Sequence, residues 1–327
     1  ITFANSFLTK SPENLNGVRG FLLSTAFNKE ITFPTKPKLA IKEEASLTDL
    51  PNTGWTILRP GYGWELTFKC GVACPPHLAA HAHSDLLSFD LYNLGEEVIA
   101  ETGTSTYDLG SKRQYERSIK SHNTLQLGKK NGSSILWIEP IDIWSSFRAG
   151  RKANTLSRSY GKNNNWLWVQ GSHDGFKTIG GYHFRSVSIR LDSSGLPIIV
   201  VIDKINTIKN NIMFRSWLHT SQLFSNLENS SILNSKYFQN PNISKTTLEN
   251  QNGYISYGFG KRKTSKVIQL SGEYNIGNNI FITVIANPNL KVECNFKGSK
   301  SVQVLVDMYG KIELDLKSET LSVTNEY

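Results

Sequence analysis

The sequence predicts an all-β protein, a large antiparallel β-sandwich built from two sheets. Many short runs alternate apolar and polar residues, as half-buried strands do, and most are rich in Val, Ile and aromatic residues. Turn-forming residues, such as those at 193–195 and 309–310, separate these runs. Long amphipathic helical patterns are nearly absent, so the expected architecture is sheet packed on sheet.

The first predicted strands form a hairpin. Residues 55–59 and 64–68 flank a short connection of turn-forming residues, Pro60-Gly61-Tyr62-Gly63. Further strands are predicted along the chain at residues 86–92, 166–169, 184–190, 198–202, 212–218, 267–270, 280–285, 302–306 and 312–316.

Two segments differ from this strand pattern. Residues 1–50 are predicted to be a linker or the trailing end of a preceding helical domain, because Pro34-Thr35-Lys36-Pro37 is typical of an extended connection. The sandwich domain is then predicted to span residues 51–327. Residues 226–252 are rich in Asn and Ser, and we expect a long loop there.

Composition narrows the classes of partner. The 327 residues carry 36 basic and 27 acidic side chains, a net charge of +9, which favours an anionic partner such as nucleic acid or an acidic polysaccharide. The basic residues are scattered, and neither an aromatic-studded RNA-binding motif nor a Cys/His finger is present, so no nucleic-acid partner is expected. Apolar runs of about 18 residues are also missing, which predicts no membrane span.

Three side chains in one region have the chemistry of metal ligands. His83, Glu101 and His122 offer imidazole nitrogens and a carboxylate, the donors that zinc prefers. His81 lies two residues before His83, so in a strand both would project from the same face. Asp85 and Asn123 are candidates to orient an imidazole from the second layer around the ion.

The same residues have an interpretation without a metal. His83 and His122 would then be hydrogen-bonded histidines in a polar cleft, and Glu101 would pair with Arg113 or Arg117. Spacing alone leaves both possibilities open.

Several ordered motifs resemble the heparinase II/III-like polysaccharide lyases, a family that includes alginate and oligoalginate lyases. The run from His81 to Phe89 resembles the family's HxHxDxLSF segment, and Glu101 to Tyr107 resembles its DTGTxxY segment. Arg117-Ser118 through His122-Asn123-Thr124 resembles an element that ends in HNT. Shorter matches follow in the same order at residues 147–150, 173–176 and 183–185, so the similarity covers residues 54–219.

The resemblance implies a C-terminal sandwich domain with a structural metal ion, usually zinc. By position, His83, Glu101 and His122 would be its ligands, although the family typically has Asp where this chain has Glu101. His81 matches the histidine that faces the substrate cleft. In the family the main catalytic Tyr and His lie on an N-terminal α-helical toroid, which we expect to be absent from this chain.

The resemblance also implies a reaction, β-elimination at a uronic acid. A base removes the proton at C5, the carboxylate is neutralised, and an acid protonates the departing O4. His81, Tyr107 and Tyr115 are the candidate catalytic residues, with packing as the alternative for both tyrosines.

Three further residues are candidates for binding the substrate. They are Arg117, Asn123 and His173, the last of which lies in a Ser-His-Asp-Gly turn.

These expectations combine into one leading hypothesis and two alternatives. The chain is the sandwich part of a lyase that cleaves uronate-containing anionic polysaccharide, with little activity without the toroid domain of the same protein. A non-catalytic carbohydrate-binding domain in surface-glycan metabolism and a metal-dependent glycan hydrolase are the alternatives. A lyase that acts on extracellular glycan would be periplasmic or secreted.

Overall fold

A computed structural model describes residues 44–75, 78–163 and 165–324. Its helices are short, and its strands follow one another along the whole described chain. In the first half they are β1 Ser46–Leu50, β2 Trp55–Gly61, β3 Trp64–Lys69, β4 Phe89–Asn93, β5 Glu96–Ile99, α1 Ser111–Arg117, β6 Leu125–Asn131, β7 Ser134–Trp137, β8 Ile141–Ile143, β9 Ala149–Lys152 and β10 Thr155–Asn163. In the second half they are β11 Trp166–His173, β12 Gly181–Leu191, β13 Pro197–Thr207, β14 Ile212–Thr220, α2 Gln222–Asn229, β15 Asn234–Gln239, β16 Ile243–Gly258, β17 Lys261–Tyr274, β18 Gly277–Ala286, β19 Val292–Lys297, β20 Ser301–Val306, β21 Gly310–Asp315 and β22 Leu321–Thr324.

The strands form antiparallel sheets, which confirms the predicted fold class. The largest sheet has ten strands in the order β1-β2-β3-β4-β5-β14-β17-β16, with β6 and β7 attached at β14. The second sheet has six strands in the order β10-β11-β12-β13-β18-β15. A third sheet consists of β19 to β22, and β8 pairs with β9.

The strand β13 shows how the sheets stack. Ile199 and Val201 pack into a core shared with β2 and β3 of the ten-stranded sheet. The alternate residues Ile198, Val200 and Ile202 pack into a second core shared with β20 and β21. Because successive side chains leave a strand on opposite faces, an apolar run of this kind buries both faces of its sheet. The two-sheet sandwich of the prediction therefore carries a third sheet on its outer side.

One predicted segment is wrong. Residues 226–252, expected to be a loop, contain the end of α2, all of β15 and the first part of β16. The strand β16 lies at the edge of its sheet, and much of it is exposed. Polar residues are typical of an exposed edge strand, so composition alone gave a misleading prediction here.

The predicted N-terminal segment falls largely outside the described residues. Residues 1–43 are not described, and β1, within the last part of the predicted linker, pairs with β2 at the edge of the ten-stranded sheet. None of the helices in the described ranges is long and apolar enough to cross a membrane.

Candidate active site

Three loop segments, residues 78–88, 100–110 and 118–124, meet beside the ten-stranded sheet. They bring most of the predicted site residues together. The backbone N–H of Ser84 donates to the carbonyl of Arg117 at 2.8 Å, which ties the first segment to the end of α1. The N–H of Thr102 donates to the carbonyl of Ser121 at 3.0 Å, which ties the second segment to the third. Side chains that lie far apart in the sequence therefore converge on one site.

The hairpin of β16 and β17 holds the second segment from outside. The N–H of Ser256 donates to the carbonyl of Thr102 at 2.8 Å, and that of Gly260 donates to the carbonyl of Ser105 at 2.7 Å. Gly103 lies between these bonds with φ of +72°, and a Cβ atom there would come within 3.2 Å of the carbonyl oxygen of Ser256. A left-handed backbone at such close approach favours glycine.

A buried cluster of metal-ligating groups forms where the segments meet. One ligand atom each from Asp85, Glu101 and His122 lies within 4.8 Å of the others. Nδ1 of the fully buried His122 lies 2.7 Å from Oε2 of Glu101. The ring of His83 is next to this group, with its centroid 5.3 Å from that of His122.

Four polar atoms of this cluster lack hydrogen-bond partners among the described residues. Oδ1 of Asp85, Oε1 of Glu101 and both ring nitrogens of His122 are buried without a hydrogen bond of good geometry. Buried polar atoms without partners are rare in folded proteins, because they lose their contacts with water and gain nothing in return. An imidazole and two carboxylates are suitable ligands for a divalent cation such as zinc, so the residues present fit a metal ion.

The cluster differs from the predicted ligand set at two residues, Asp85 and His83. Asp85, expected only to support the ligands, lies within the cluster, and its Oδ2 forms an ion pair with Lys69. His83, expected to be a ligand, lies beside the cluster with its Nε2 at 3.4 Å from Nη1 of Arg113.

The surroundings shift the pKa values of the two imidazoles at the cluster in opposite directions. Burial disfavours the charged form of His122, but the carboxylates of Glu101 and Asp85 outweigh burial and raise its pKa. Burial, together with the charges of His122 and Arg113, lowers the pKa of His83 to about 3 despite the opposing effect of Asp85. His83 is therefore neutral near pH 7, the form in which an imidazole nitrogen can bind a metal.

Two of the predicted catalytic residues lie together on the surface next to this cluster. The hydroxyl oxygen of Tyr107 is 3.4 Å from Nδ1 of His81, and both side chains are exposed. The Tyr107 ring also contacts the guanidinium of Arg113, 5.0 Å from the ring centroid, and the ring of Phe259. Tyr115 is half-buried and packs beside Tyr254, as the packing alternative predicts.

Arg117, predicted to bind substrate, is buried and used within the protein. Its Nε and Nη2 donate to the carbonyls of Ala82 and Ala79 at 2.8 and 2.9 Å, and its Nη1 donates to that of Ser145 at 2.6 Å. A buried guanidinium whose three nitrogens each bond a carbonyl has no free edge for a ligand. Arg117 therefore holds the loop that carries His81, and its predicted substrate contact is corrected to this structural role.

Asn123 is also buried, and both ends of its amide are used. Its Nδ2 donates to the carbonyl of Phe89 at 2.9 Å and to Oδ1 of Asp90 at 3.2 Å. Its Oδ1 accepts from the backbone N–H of His219 at 2.7 Å. Asn123 therefore joins β4 to β14 under the site, and its predicted substrate contact is likewise corrected.

His173 lies in the interior, in a chain of hydrogen bonds. Its Nδ1 accepts from the N–H of Gly175 at 3.0 Å, so its Nε2 carries the proton and faces Nδ1 of His183 at 3.3 Å. Nε2 of His183 then donates to Oδ1 of Asp203 at 2.7 Å, and Arg185 pairs with the same carboxylate. These contacts orient both rings inside the six-stranded sheet, so a substrate contact by His173 is not supported.

Sequence reasoning missed two residues near the site, the exposed Phe259 and the buried Arg113. Phe259 lies between two glycines at the tip of the β16–β17 hairpin, and an exposed aromatic residue in such a turn could have been noticed. Arg113 was considered only as a partner of Glu101, whereas its guanidinium contacts His83, Thr104 and the Tyr107 ring.

Comparison with known proteins gives one family and several structures. The model of the family described as heparinase II/III-like, C-terminal, matches residues 42–293. A heparinase III, the BT4657 gene product, is similar with a TM-score of 0.62 and 14% identity, over 84% of this chain and 43% of that chain. The heparan sulfate lyase HepC from Pedobacter heparinus has a TM-score of 0.55 and 14% identity, over 85% of this chain and 42% of that chain.

These similarities concern the fold and cover only part of each of the two structures. At this level of identity the two structures show a shared fold, and the matched region spans less than half the length of either one. No curated protein is similar enough to this chain to count as a match.

Proposed function

Because this chain belongs to the heparinase II/III-like C-terminal domain family, we propose that it is the β-sandwich part of a polysaccharide lyase. Its substrate is an anionic polysaccharide that contains uronic acid, and its reaction is β-elimination. The observation that carries the proposal is the exposed pair of His81 and Tyr107 beside the buried cluster of Asp85, Glu101 and His122. The two similar structures are named as a heparinase III and a heparan sulfate lyase, which supports the same substrate class.

The exposed pair supplies groups that a β-elimination needs. The reaction requires a positioned acid and base, and positive charge or hydrogen-bond donors where negative charge develops. The imidazole of His81 lies next to the substrate carboxylate, and the hydroxyl of Tyr107, 3.4 Å from Nδ1, donates a proton to O4 as the C4–O4 bond breaks. The base that removes the C5 proton, whose bonding electrons form the C4–C5 double bond, would come from the second domain. The guanidinium of Arg113 behind the Tyr107 ring adds positive charge to this surface.

The buried cluster supports this surface from below. Asp85, Glu101 and His122 would hold a zinc ion, with the neutral imidazole of His83 beside them. When bound, the ion supplies a fixed positive charge that draws the three loops together. Its proposed role is structural, since the cluster is buried whereas His81 and Tyr107 are exposed.

The chain is proposed to need a second domain for full activity. The remaining catalytic groups would come from a helical toroid of the same protein, and the substrate would lie between the two domains. We further propose a periplasmic or secreted location, since the substrate is an extracellular glycan.

Product analysis tests this proposal against its two alternatives. Heparan sulfate and alginate oligosaccharides are incubated with the protein joined to its natural upstream sequence, and the products are weighed by mass spectrometry. A lyase gives fragments that are one water lighter than those of a hydrolase and that absorb in the ultraviolet. New reducing ends without a double bond would favour the hydrolase, and retention without cleavage would favour the binding module.

A further inference from the structure

A groove runs beside the exposed pair and shares Tyr107 with it. It has a volume of about 520 Å³ and is lined by the loop of residues 105–112 and by Phe259, Gly260 and Arg262 of the hairpin tip. We name it the hairpin groove. A cleft of this size can hold one or more sugar units of a chain.

Two side chains that line the hairpin groove are apolar and exposed. Phe259 is 62% exposed and Leu109 is 80% exposed. The Phe259 ring packs edge-on against that of Tyr107, with centroids 4.8 Å apart, so its orientation is fixed. Exposed aromatic and aliphatic side chains grouped in this way mark binding surfaces, and the C–H face of a sugar ring is a suitable partner for an aromatic ring.

The lining of the groove is also basic. Nε of Arg262 donates to Oγ of Ser105 at 2.8 Å, and its guanidinium stacks on Tyr254 with 4.8 Å to the ring centroid. The Arg262 side chain stays 26% exposed, although the buried Glu116 lies 3.8 Å from it. Lys112 on α1 is exposed, and Asp108 is the acidic residue of the lining. Carboxylate and sulfate groups match a guanidinium and an ammonium in the lining of one groove.

Tyr107 joins the hairpin groove to the exposed pair. Its hydroxyl faces His81, and its ring contacts Phe259. A polysaccharide whose reacting uronate lies at His81 therefore continues past Tyr107 into the groove.

From this continuity and from the apolar and basic side chains of the lining, we propose that the hairpin groove binds a neighbouring unit of the same anionic polysaccharide. The sugar ring lies against Phe259, and its carboxylate or sulfate lies at Lys112 and Arg262. The inference rests on the proposed function for its ligand, because the lyase substrate is the chain that reaches the groove.

Binding of labelled oligosaccharides to this chain tests the inference. The probes are octasaccharides of heparan sulfate and of alginate, their disaccharides, and a neutral glucan octasaccharide, measured by fluorescence anisotropy. Phe259→Ala and Lys112→Ala are each expected to weaken binding of an anionic octasaccharide about tenfold and to leave disaccharide binding unchanged. Tighter binding of the heparan sulfate octasaccharide than of the alginate octasaccharide shows that the groove recognises sulfate. Equal affinity, or tighter binding of alginate, shows that it recognises carboxylate.

Matched surface variants control for general effects. Tyr62→Ala removes a side chain that is 44% exposed on a different turn, and Lys317→Ala removes an exposed lysine near the C-terminus. Neither is expected to change binding. Arg262 is left intact, since its removal would leave Glu116 buried without its basic partner.

The possible results separate the groove from the lyase proposal. If both groove variants bind like the wild type while His81→Ala binds less well, the groove is excluded and the lyase proposal stands. If both groove variants lose binding but no unsaturated product forms with the longer protein, the groove stands and the lyase proposal fails. A wild type that binds no anionic oligosaccharide contradicts both. A Phe259→Ala variant with unchanged binding of the anionic octasaccharides shows that this ring does not contact the polysaccharide, which overturns the inference.

Discussion

At the scale of single residues, the main feature is the set of buried atoms without partners in the cluster of Asp85, Glu101 and His122. Four such atoms lie on three residues of one cluster. The fold holds them together through backbone bonds that do not involve these side chains, so burying them without a ligand is unfavourable. A bound cation would remove this penalty.

Metal content gives the first prediction. The purified protein is expected to retain about one zinc ion after dialysis, and His122→Ala or Asp85→Asn is expected to weaken retention at least tenfold because each removes a ligand. Elemental analysis measures this directly. His81→Ala is the matched control, since it removes an exposed imidazole outside the cluster and is expected to keep the metal. Equal zinc in all four proteins, or none in the wild type, contradicts the assignment.

The buried histidines give the second prediction, a loss of stability in weak acid. Burial lowers the pKa of His219 to about 4, and it also lowers the pKa of His173 and His183. In the unfolded chain a histidine has a pKa of about 6.5, so the unfolded state binds protons first as the pH falls. The free energy of unfolding should therefore decrease below about pH 6.5, and His219 alone contributes about 2 kcal/mol of this loss at pH 5.

Urea unfolding between pH 7.5 and pH 5 measures this effect. The His219→Gln variant, compared with the wild type over the same range, is expected to lose less stability because one of the titrating groups is gone. A free energy of unfolding that stays constant from pH 7 to pH 5 would show that these histidines are not buried in the neutral form.

At the scale of structural elements, the loop that carries His81 and His83 depends on Arg117 at the end of α1. The guanidinium bonds the carbonyls of Ala79, Ala82 and Ser145, so one side chain fixes the loop on two sides. Arg117, which was predicted to bind substrate, thus serves to fix the position of the loop that carries His81 and His83.

Replacement of Arg117 gives the third prediction. Arg117→Lys keeps the charge but cannot bond three carbonyls at once, and it is expected to destabilise the protein by about 2–3 kcal/mol. Hydrogen–deuterium exchange should rise in residues 78–88 more than in the third sheet. Arg59→Lys, which alters an arginine paired with Glu65 on the surface, serves as the control and should change little. An unchanged exchange rate in residues 78–88 would rule out this role.

Elements with strong apolar alternation could be predicted from the sequence, and polar ones could not. The predicted segments 55–59 and 64–68 correspond to β2 and β3, and 198–202 lies inside β13. The polar residues 243–252 belong to β16, whose pairing with β17 is set by a long hairpin rather than by burial. The residue pattern of a single strand does not show which strand pairs with it.

For the site, the sequence motifs predicted which segments meet but not which side chains face outward. Glu101 and His122 lie together in the cluster with His83 beside it, and His81 is exposed, whereas Arg117, Asn123 and His173 are polar residues used inside the fold. The hydrogen bonds to Ala82, Phe89 and His183 show this difference, and the first two join residues more than 30 positions apart in the sequence.

At the scale of the whole molecule, the three stacked sheets form a rigid support for one surface. The middle sheet is buried on both faces, so its residues Arg185 and Asp203 form an ion pair in the interior, where Arg185 also bonds the carbonyls of Leu87 and Asn123. This contact connects the core of the sandwich to the loops of the site. The active surface is thus part of the folded body, although the full catalytic apparatus is proposed to need a second domain.

The dependence on a second domain gives the fourth prediction. This chain alone is expected to unfold cooperatively and to bind anionic oligosaccharide, but to form unsaturated product far more slowly than a longer protein that includes the proposed toroid domain. Circular dichroism establishes folding, and ultraviolet absorbance follows the product. Equal rates for the two proteins would show that the sandwich is sufficient by itself.

The central claim is that the exposed pair of His81 and Tyr107, supported by the buried cluster, takes part in β-elimination. The most direct test is the rate of unsaturated uronate formation by the longer protein and by its His81→Ala and Tyr107→Phe variants, each with its zinc content measured. Rates at least a hundredfold lower with unchanged zinc are predicted. Tyr107→Phe removes the proposed acid, which typically costs about 10²–10⁴ in rate, and His81→Ala removes the group proposed to stabilise charge at the substrate carboxylate, which typically costs about 10²–10³. Variants that form the product as fast as the wild type would contradict the claim.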